Sequence, residues 1–434
     1  MKLWKKDNTK TSQIIEDFTV GNDRNFDLLM AKFDVEASIA HVTMLGEQGI
    51  IKKADAEKAI QGLKNIQDSI SNGTFTIDPS MEDVHSQIEW MLTQEIGDAG
   101  KMIHTGRSRN DQVAVDIKLY LRSAILDIKE DILKLFGLLI AKSNQHKNDL
   151  IPGYTHLQIA MPSSVGLWLG AYAESLVDDM EFLSAAFHVA NKNPLGSGAG
   201  YGSSFPLNRK RTTDLLNFTT LNYNAVYAQM SRGKTEKLLA YALSSIAATL
   251  SRLSMDCCLY LNQNFSFIHF PEELTTGTSI MPHKKNPDVF ELIRGKCNRI
   301  QSTPNELTLL INNLPSGYHR DMQLTKEIIF PAVETLQNCL QMMHMMISEL
   351  SVNKDILDDK KYMYIFSVEK VNELVNQGIP FRDAYAKVGN MINEGTFEFD
   401  ATQQLKHTHE GSIGNLCNDE IEKQMQKIAA AISI

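Results

Sequence analysis

Four short segments of the sequence concentrate side chains that could hold an anion or move a proton. The first, His104-Thr105-Gly106-Arg107-Ser108-Arg109-Asn110-Asp111-Gln112, stands directly before the longest helical pattern in the chain. Ser108, Asn110 or Asp111 alone would serve as a helix N-cap. Two arginines around the cap exceed what capping needs, whereas a loop that binds carboxylates at a helix N-terminus uses all of these groups. The second, Pro152-Gly153-Tyr154-Thr155-His156-Leu157-Gln158, is the turn into the next long helix. There His156 is either a hydrogen-bonded structural histidine or a proton carrier, with Thr155 and Gln158 beside it. The third runs from Thr276 through Gly277, Thr278, Ser279, His283, Lys284 and Asn286 to Asp288, with Glu291 on the helix that follows. Gly277, Pro282 and Pro287 make it a loop, and its charge alone fits a solvated one. The fourth, Tyr318-His319-Arg320-Asp321-Met322-Gln323 with Lys326 one turn on, reads equally well as an ordinary helix start.

Other chemistries find little support. The cluster Gly196-Ser197-Gly198-Ala199-Gly200-Tyr201-Gly202 misses the G-x-G-x-x-G spacing, has no strand before it and no G-K-[ST] after it. Neither H-E-x-x-H nor G-x-S-x-G occurs. The five cysteines are an odd number without a C-x-x-C pair, so they read as reduced thiols of a cytosolic protein and not as disulfides or a zinc site. His344, within Met342-Met343-His344-Met345-Met346, has no second ligand at metal spacing and fits a bundle interior or a subunit interface. Cofactor-free chemistry without a metal is the expectation. A net charge of -9 points to no nucleic-acid partner. The apolar run Ile132 to Ala141 is interrupted by Lys134 and too short for a membrane span, and Met1 to Asp7 lacks the apolar run of a secretory leader. The expected location is cytoplasmic.

The elements that must position these segments are long helices. From Val113 to about His146, Ile117, Leu121, Ile125, Ile128, Ile132, Leu135 and Leu139 recur in steps of three and four and build one apolar face. Similar patterns follow over about 163–191, 233–262, 287–312 and 321–350, the last with Pro331 inside it as a source of a kink. Few strand signals interrupt them. The predicted fold is all-α: an elongated central bundle over residues 108–350, flanked by small helical domains over 1–107 and 351–434.

Taken together the segments resemble the fumarase/aspartase superfamily, whose fingerprint G-S-S-x-M-P-x-K-x-N is matched by Gly277 to Asn286 with one exception. His104–Gln112, Pro152–Gln158, Pro194–Ala199 and Gly378–Ala384 resemble stretches specific to its argininosuccinate lyases, and the likeness runs from about residue 3 to 390. That resemblance implies β-elimination of argininosuccinate to fumarate and arginine, by a homotetramer around a twenty-helix core with each active site drawn from three subunits. Helix geometry agrees, because Arg109 and His156 flank a helix of about 45 Å and one chain cannot bring them together.

The resemblance also implies roles. Ser108, Arg109, Asn110, Thr155, Lys284 and Asn286 would hold the succinyl carboxylates. Asp27, Tyr318, Gln323 and Lys326 would contact the substrate, several toward its arginine end, and His85 would be a further active-site histidine. His156, oriented by Glu291, and a hydroxyl of the loop would carry protons. The usual first serine of the loop is Thr278 here, which makes Thr278 the expected base and Ser279 its rival, since neighbouring side chains of an extended loop point in opposite directions. Asp23 stands where relatives often carry serine, and the tail after about residue 395 departs from the family ending. The alternatives are another lyase of the superfamily, acting on adenylosuccinate, fumarate or aspartate, and a non-catalytic protein of the crystallin kind.

Overall fold

The computed structural model describes residues 13–400, 405 and 407–434; the stretch read for a leader, and the first residues of the family likeness, lie outside these. The N-terminal part comprises α1 (Gln13–Val20), α2 (Asp23–Glu47), α3 (Lys53–Ser71), α4 (Val84–Ile96) and the single turn α5 (Asp98–Lys101). Val42, Leu45, Leu63, Ile88 and Leu92 close a core of their own between α2, α3 and α4.

The bundle begins at α6 (Arg109–Gln145), 37 residues or about 55 Å of helix. Its start is fixed by a capping box: Ser108 Oγ accepts from the Asn110 amide, and Asp111 accepts from the Ser108 amide at 2.8 Å. The apolar stripe from Ile117 to Leu139 read from the sequence is wholly buried. It faces α7 (Val165–Ala190) and, beyond the short connecting helices α8 (Arg209–Leu215) and α9 (Ala225–Met230), packs with α10 (Lys234–Leu261) and α13 (Thr325–Ser348). The predicted helix over 287–312 is divided at Gln301-Ser302 into α11 (Asp288–Ile300) and α12 (Thr303–Ile311), where Pro304 is tolerated because first-turn amides have no partner within a helix. α13 runs through Pro331 as one helix.

Polar fasteners set the register between α7 and α10. Buried Asp179 accepts from Ser245 Oγ (2.5 Å) and Thr249 Oγ1 (2.7 Å), and Asp256 accepts from Trp168 Nε1 (3.0 Å) and Tyr172 OH (2.6 Å). These donors offset the cost of removing the carboxylates from water. By length and composition α10 could cross a membrane, but half of its most apolar stretch is buried against its neighbours in the bundle.

Strand structure is sparse but present. β1 (Leu150–Thr155) and β2 (Gln158–Ser164) form an antiparallel hairpin between α6 and α7, and two-residue pairings join β3 (Lys192–Asn193) to β4 (Thr220–Leu221) and β5 (Ile268–His269) to β6 (Ser351–Val352). After the bundle, α14 (Ser367–Asn376) and α15 (Phe381–Asn393) pack on each other. The last helix, α16 (Asn418–Ala430), returns to the bundle and lies on α7. Asn418 Nδ2 donates to Ser143 Oγ (3.0 Å) and Asn144 Oδ1 (2.8 Å), and Ile421 and Met425 are buried. Met425→Ala should therefore cost about 2–5 kcal/mol in urea unfolding at fixed protein concentration. An unchanged midpoint would mean that α16 contributes nothing to the bundle.

Candidate active site

A cavity of about 410 Å³ opens where the start of α6, the start of α4, α2 and the segment Tyr318–Lys326 converge. It collects Asp27, His85, Ser108, Arg109, Asn110, Tyr318, Gln323 and Lys326, residues that lie far apart in sequence. One side of it carries hydrogen-bond donors and a guanidinium. Ser108 caps α6 and Asp83 caps α4, so two helix N-termini with their unsatisfied amides face the same space. Arg109 is steered into it by Asp83 Oδ2, 3.3 Å from Nε, and donates to Ser86 Oγ at 3.3 Å, while its Nη1 is buried without a partner.

The other side is acidic. Lys326 Nζ sits 2.5 Å from Asp23 Oδ1 and 2.7 Å from Asp27 Oδ1, and Asp27 also accepts from the Val84 amide at 3.2 Å, tying α2, α4 and α13 together. Burial pushes the Asp23 carboxyl up to about 6, against the pull of Lys326 and with the help of Asp27. Burial likewise raises Asp27, and the two carboxylates outweigh burial to raise Lys326. Gln323 Nε2 donates to the Thr19 carbonyl at 3.1 Å, holding the C-terminal end of α1 against this edge.

The remaining candidates lie elsewhere on the chain. Thr155 and Gln158 pair across the hairpin, leaving His156 and Leu157 as its two-residue turn, both with positive φ (54° and 57°). Such a turn normally takes Asn and Gly, and a side chain there stores roughly 1–3 kcal/mol of strain. It holds His156 out at the exposed hairpin tip. The expected pairing of His156 with Glu291 is not made within one chain: Glu291, on α11, has Arg294 as its ion-pair partner at 3.9 Å.

The loop 276–286 is pinned at its feet by paired backbone hydrogen bonds between Thr276 and Asn286. It is not extended between them. Thr278 Oγ1 accepts from the Met281 amide (2.8 Å) and the Ile280 amide (3.3 Å), closing a turn that leaves Ser279 exposed. The alternation argument for Thr278 and Ser279 therefore fails, because the backbone bends at that point. His283, Lys284, Asn286 and Glu291 line a second hollow, of about 570 Å³, beside the end of α10.

A family model described as a lyase matches residues 6–302. The argininosuccinate lyase of Bacteroides thetaiotaomicron is 58% identical over 427 residues, 98% of this chain and 95% of its own. That of Parabacteroides distasonis is 54% identical over 432 residues, covering 100% and 96%. The chain belongs to the argininosuccinate lyase family. It is therefore a lyase of the fumarase/aspartase superfamily, with the helical bundle expected of one. Among solved structures, EDDS lyase in complex with formate superposes with a TM-score of 0.76 at 21% identity, covering 98% of this chain and 91% of that one, a likeness of fold.

In this argininosuccinate lyase relative, the glycine cluster that sequence motifs left unexplained has a structural task. Asp111 Oδ2 accepts from the Gly196 amide (3.0 Å) and the Gly198 amide (2.9 Å) while its Oδ1 holds Ser108, so one buried carboxylate clamps the glycine loop to the turn that starts α6. Gly198 has φ +60°, and a Cβ there would meet the Gly202 carbonyl at 2.8 Å. Sequence reasoning missed Asp83, Ser86 and Arg232, which also line the cavity, and gave no role to His104 and Arg320 of the first and fourth segments, which do too. Asp83 was legible as an N-cap two residues before His85; Arg232 carried no local signal.

The same turn is held from behind by His41, whose Nε2 lies 2.8 Å from the Thr105 carbonyl. As donor to a carbonyl, that ring must carry its proton on Nε2. Burial, aided by Arg107, lowers its pKa to about 3. The folded state thus keeps His41 neutral while the unfolded chain protonates it below about 6.5, so its contribution is present above pH 6.5 and is lost as pH falls toward 3. The slope is roughly 1.4 kcal/mol per pH unit. His41→Gln, which keeps a donor and cannot titrate, should lose less stability than wild type between pH 7 and pH 5 in thermal unfolding. Identical losses would place the pH sensitivity elsewhere.

Proposed function

We propose that this lyase cleaves argininosuccinate to fumarate and arginine, a step of arginine biosynthesis, in a cytoplasmic homotetramer whose sites are completed by neighbouring subunits, without metal or nucleotide. The observation that carries the reading is the two-sided cavity, cationic and amide-rich at Ser108–Asn110 and acidic at Asp23 and Asp27. Argininosuccinate has the matching ends, succinyl carboxylates and a guanidinium-bearing arginine.

Elimination withdraws a proton from the carbon next to a carboxylate, which loads extra negative charge on that group before the guanidinium nitrogen leaves. Donors fixed on those oxygens are worth more in the transition state than in the ground state. Ser108, Arg109 and Asn110 supply them from the cavity, and Thr155, Lys284 and Asn286 join them from other chains. Asp27, Tyr318, Gln323, Lys326 and His85 hold the rest of the substrate.

Proton transfer falls to the loop and the hairpin. Two backbone amides on Thr278 Oγ1 favour its deprotonated form, which a hydroxyl needs in order to act as a base. His156, approached by Glu291 of another subunit, is the second proton carrier. Exposed apolar side chains on the bundle helices, including Phe182, Tyr241, Leu292, Leu309, Met342 and Met345, support their burial against further copies.

Fumarate absorbance measures the reaction directly. Thr278→Ala should lower kcat by about 10²–10⁴, the usual cost of removing a general base. Thr278→Ser should stay active, and Ser279→Ala should lose less than Thr278→Ala. A dead Ser279→Ala beside a near-normal Thr278→Ala would move the base by one residue, and no fumarate from argininosuccinate would remove the reading altogether.

A further inference from the structure

Behind the cavity wall lies a set of charges that neither capping nor substrate contact explains. His85 Nδ1 is 2.9 Å from Asp34 Oδ1 and 3.5 Å from Asp116 Oδ2. Both carboxylates are fully buried, and atoms of all three side chains lie within 4.8 Å of one another. Asp34 Oδ1 has donors, His85 and the Gln112 amide at 2.6 Å. Asp116 has none on either oxygen, and Asp34 Oδ2 has none. Two ionised carboxylates facing each other with three bare oxygens, out of contact with water, would be an uncompensated buried charge pair.

We propose that Asp34 and Asp116 share one proton, held on Asp116, and act together as a positioning pair that fixes His85 as its Nδ1–H tautomer, with Nε2 turned to the cavity as an acceptor for a substrate N–H. Asp34 is the ionised member because it alone has donors, and Asp116 closes the gap by donating to it. Burial and the neighbouring Asp34 carboxylate both raise the Asp116 carboxyl well above its ordinary range. The proton leaves the pair with a single negative charge, which the buried Arg107 guanidinium offsets. A divalent cation among the same three ligands would add charge beside that arginine. Other charged or titratable groups on the cavity that His85 lines are Asp23 and Asp27 on α2, Glu82 and Asp83 before α4, His104 before α6, Arg109 on α6, Arg232 before α10, Arg320 before α13 and Lys326 on α13, with Glu89 of α4 close to Asp34 and Arg107.

This inference rests on the proposed substrate site, so the test separates the two. kcat/KM for argininosuccinate is measured against pH for wild type, His85→Asn, Asp34→Asn, Asp116→Asn and the double Asp34→Asn/Asp116→Asn. His85→Asn should lower kcat/KM and abolish one acid limb; no effect would remove the substrate-site reading on which the pair depends. Each single Asp→Asn change mimics a protonated carboxyl and keeps one negative charge, so that limb should stay at its wild-type pH. The double change removes the last charge and should move the limb about one pH unit or more lower, since an opposite charge at this range shifts a histidine by that much. Single variants that each move the limb, with additive effects in the double, would show two ionised carboxylates and overturn the shared proton. The single variants decide this even if the double fails to fold. A stoichiometric divalent metal in the purified enzyme, lost in Asp116→Asn, would overturn it as well.

Discussion

The stiffness of α6 is the constraint from which the site arrangement follows. A helix of about 55 Å with a buried apolar stripe cannot bend to bring its two ends together. Its first turn holds Ser108, Arg109 and Asn110 in the cavity, and the hairpin that carries His156 begins just past its last turn. The loop 276–286 lies by the far end of α10, whose first turn follows Arg232 of the cavity wall, so a second long helix separates the loop from the cavity. A single chain therefore presents a cavity, a strained exposed turn and a pinned exposed loop as three separate features.

Around the cavity, buried charge is managed by pairing and by helix termini. Asp27 and Asp23 are held by Lys326, Arg109 by Asp83, and Asp111 by three backbone amides. Breaking such a pair leaves an unpaired buried charge, which costs more than the intact pair contributes. The turn at Ser108–Asn110 is thereby held in place by the fold itself, and preorganised donors of this kind are worth most where charge develops in a transition state.

Much of this was legible in the sequence. The stripe from Ile117 to Leu139 has one period, so it gave both the helix and its buried face. Ser108 and Asp111 stood at capping positions, and the motif segments carried the family. The hairpin was not legible, because Pro152, Gly153 and a His-Leu turn lack the Asn-Gly signature of such turns. The break at Gln301-Ser302 had one local signal, Pro304, which is disfavoured inside a helix and accepted in the first turn of a new one. The clamp of Asp111 on the glycine loop joins residues 85 positions apart in sequence, and no local pattern reports a contact at that distance.

The central claim is that the cavity, the hairpin tip and the loop form one site only between subunits. Denaturing and refolding Arg109→Ala and His156→Asn chains together tests it most directly, because some sites of a mixed assembly draw both residues from unaltered positions. Fumarate production well above that of either parent refolded alone is the predicted result. Activity that stays at the parental level, while mass spectrometry shows mixed assemblies, would contradict it.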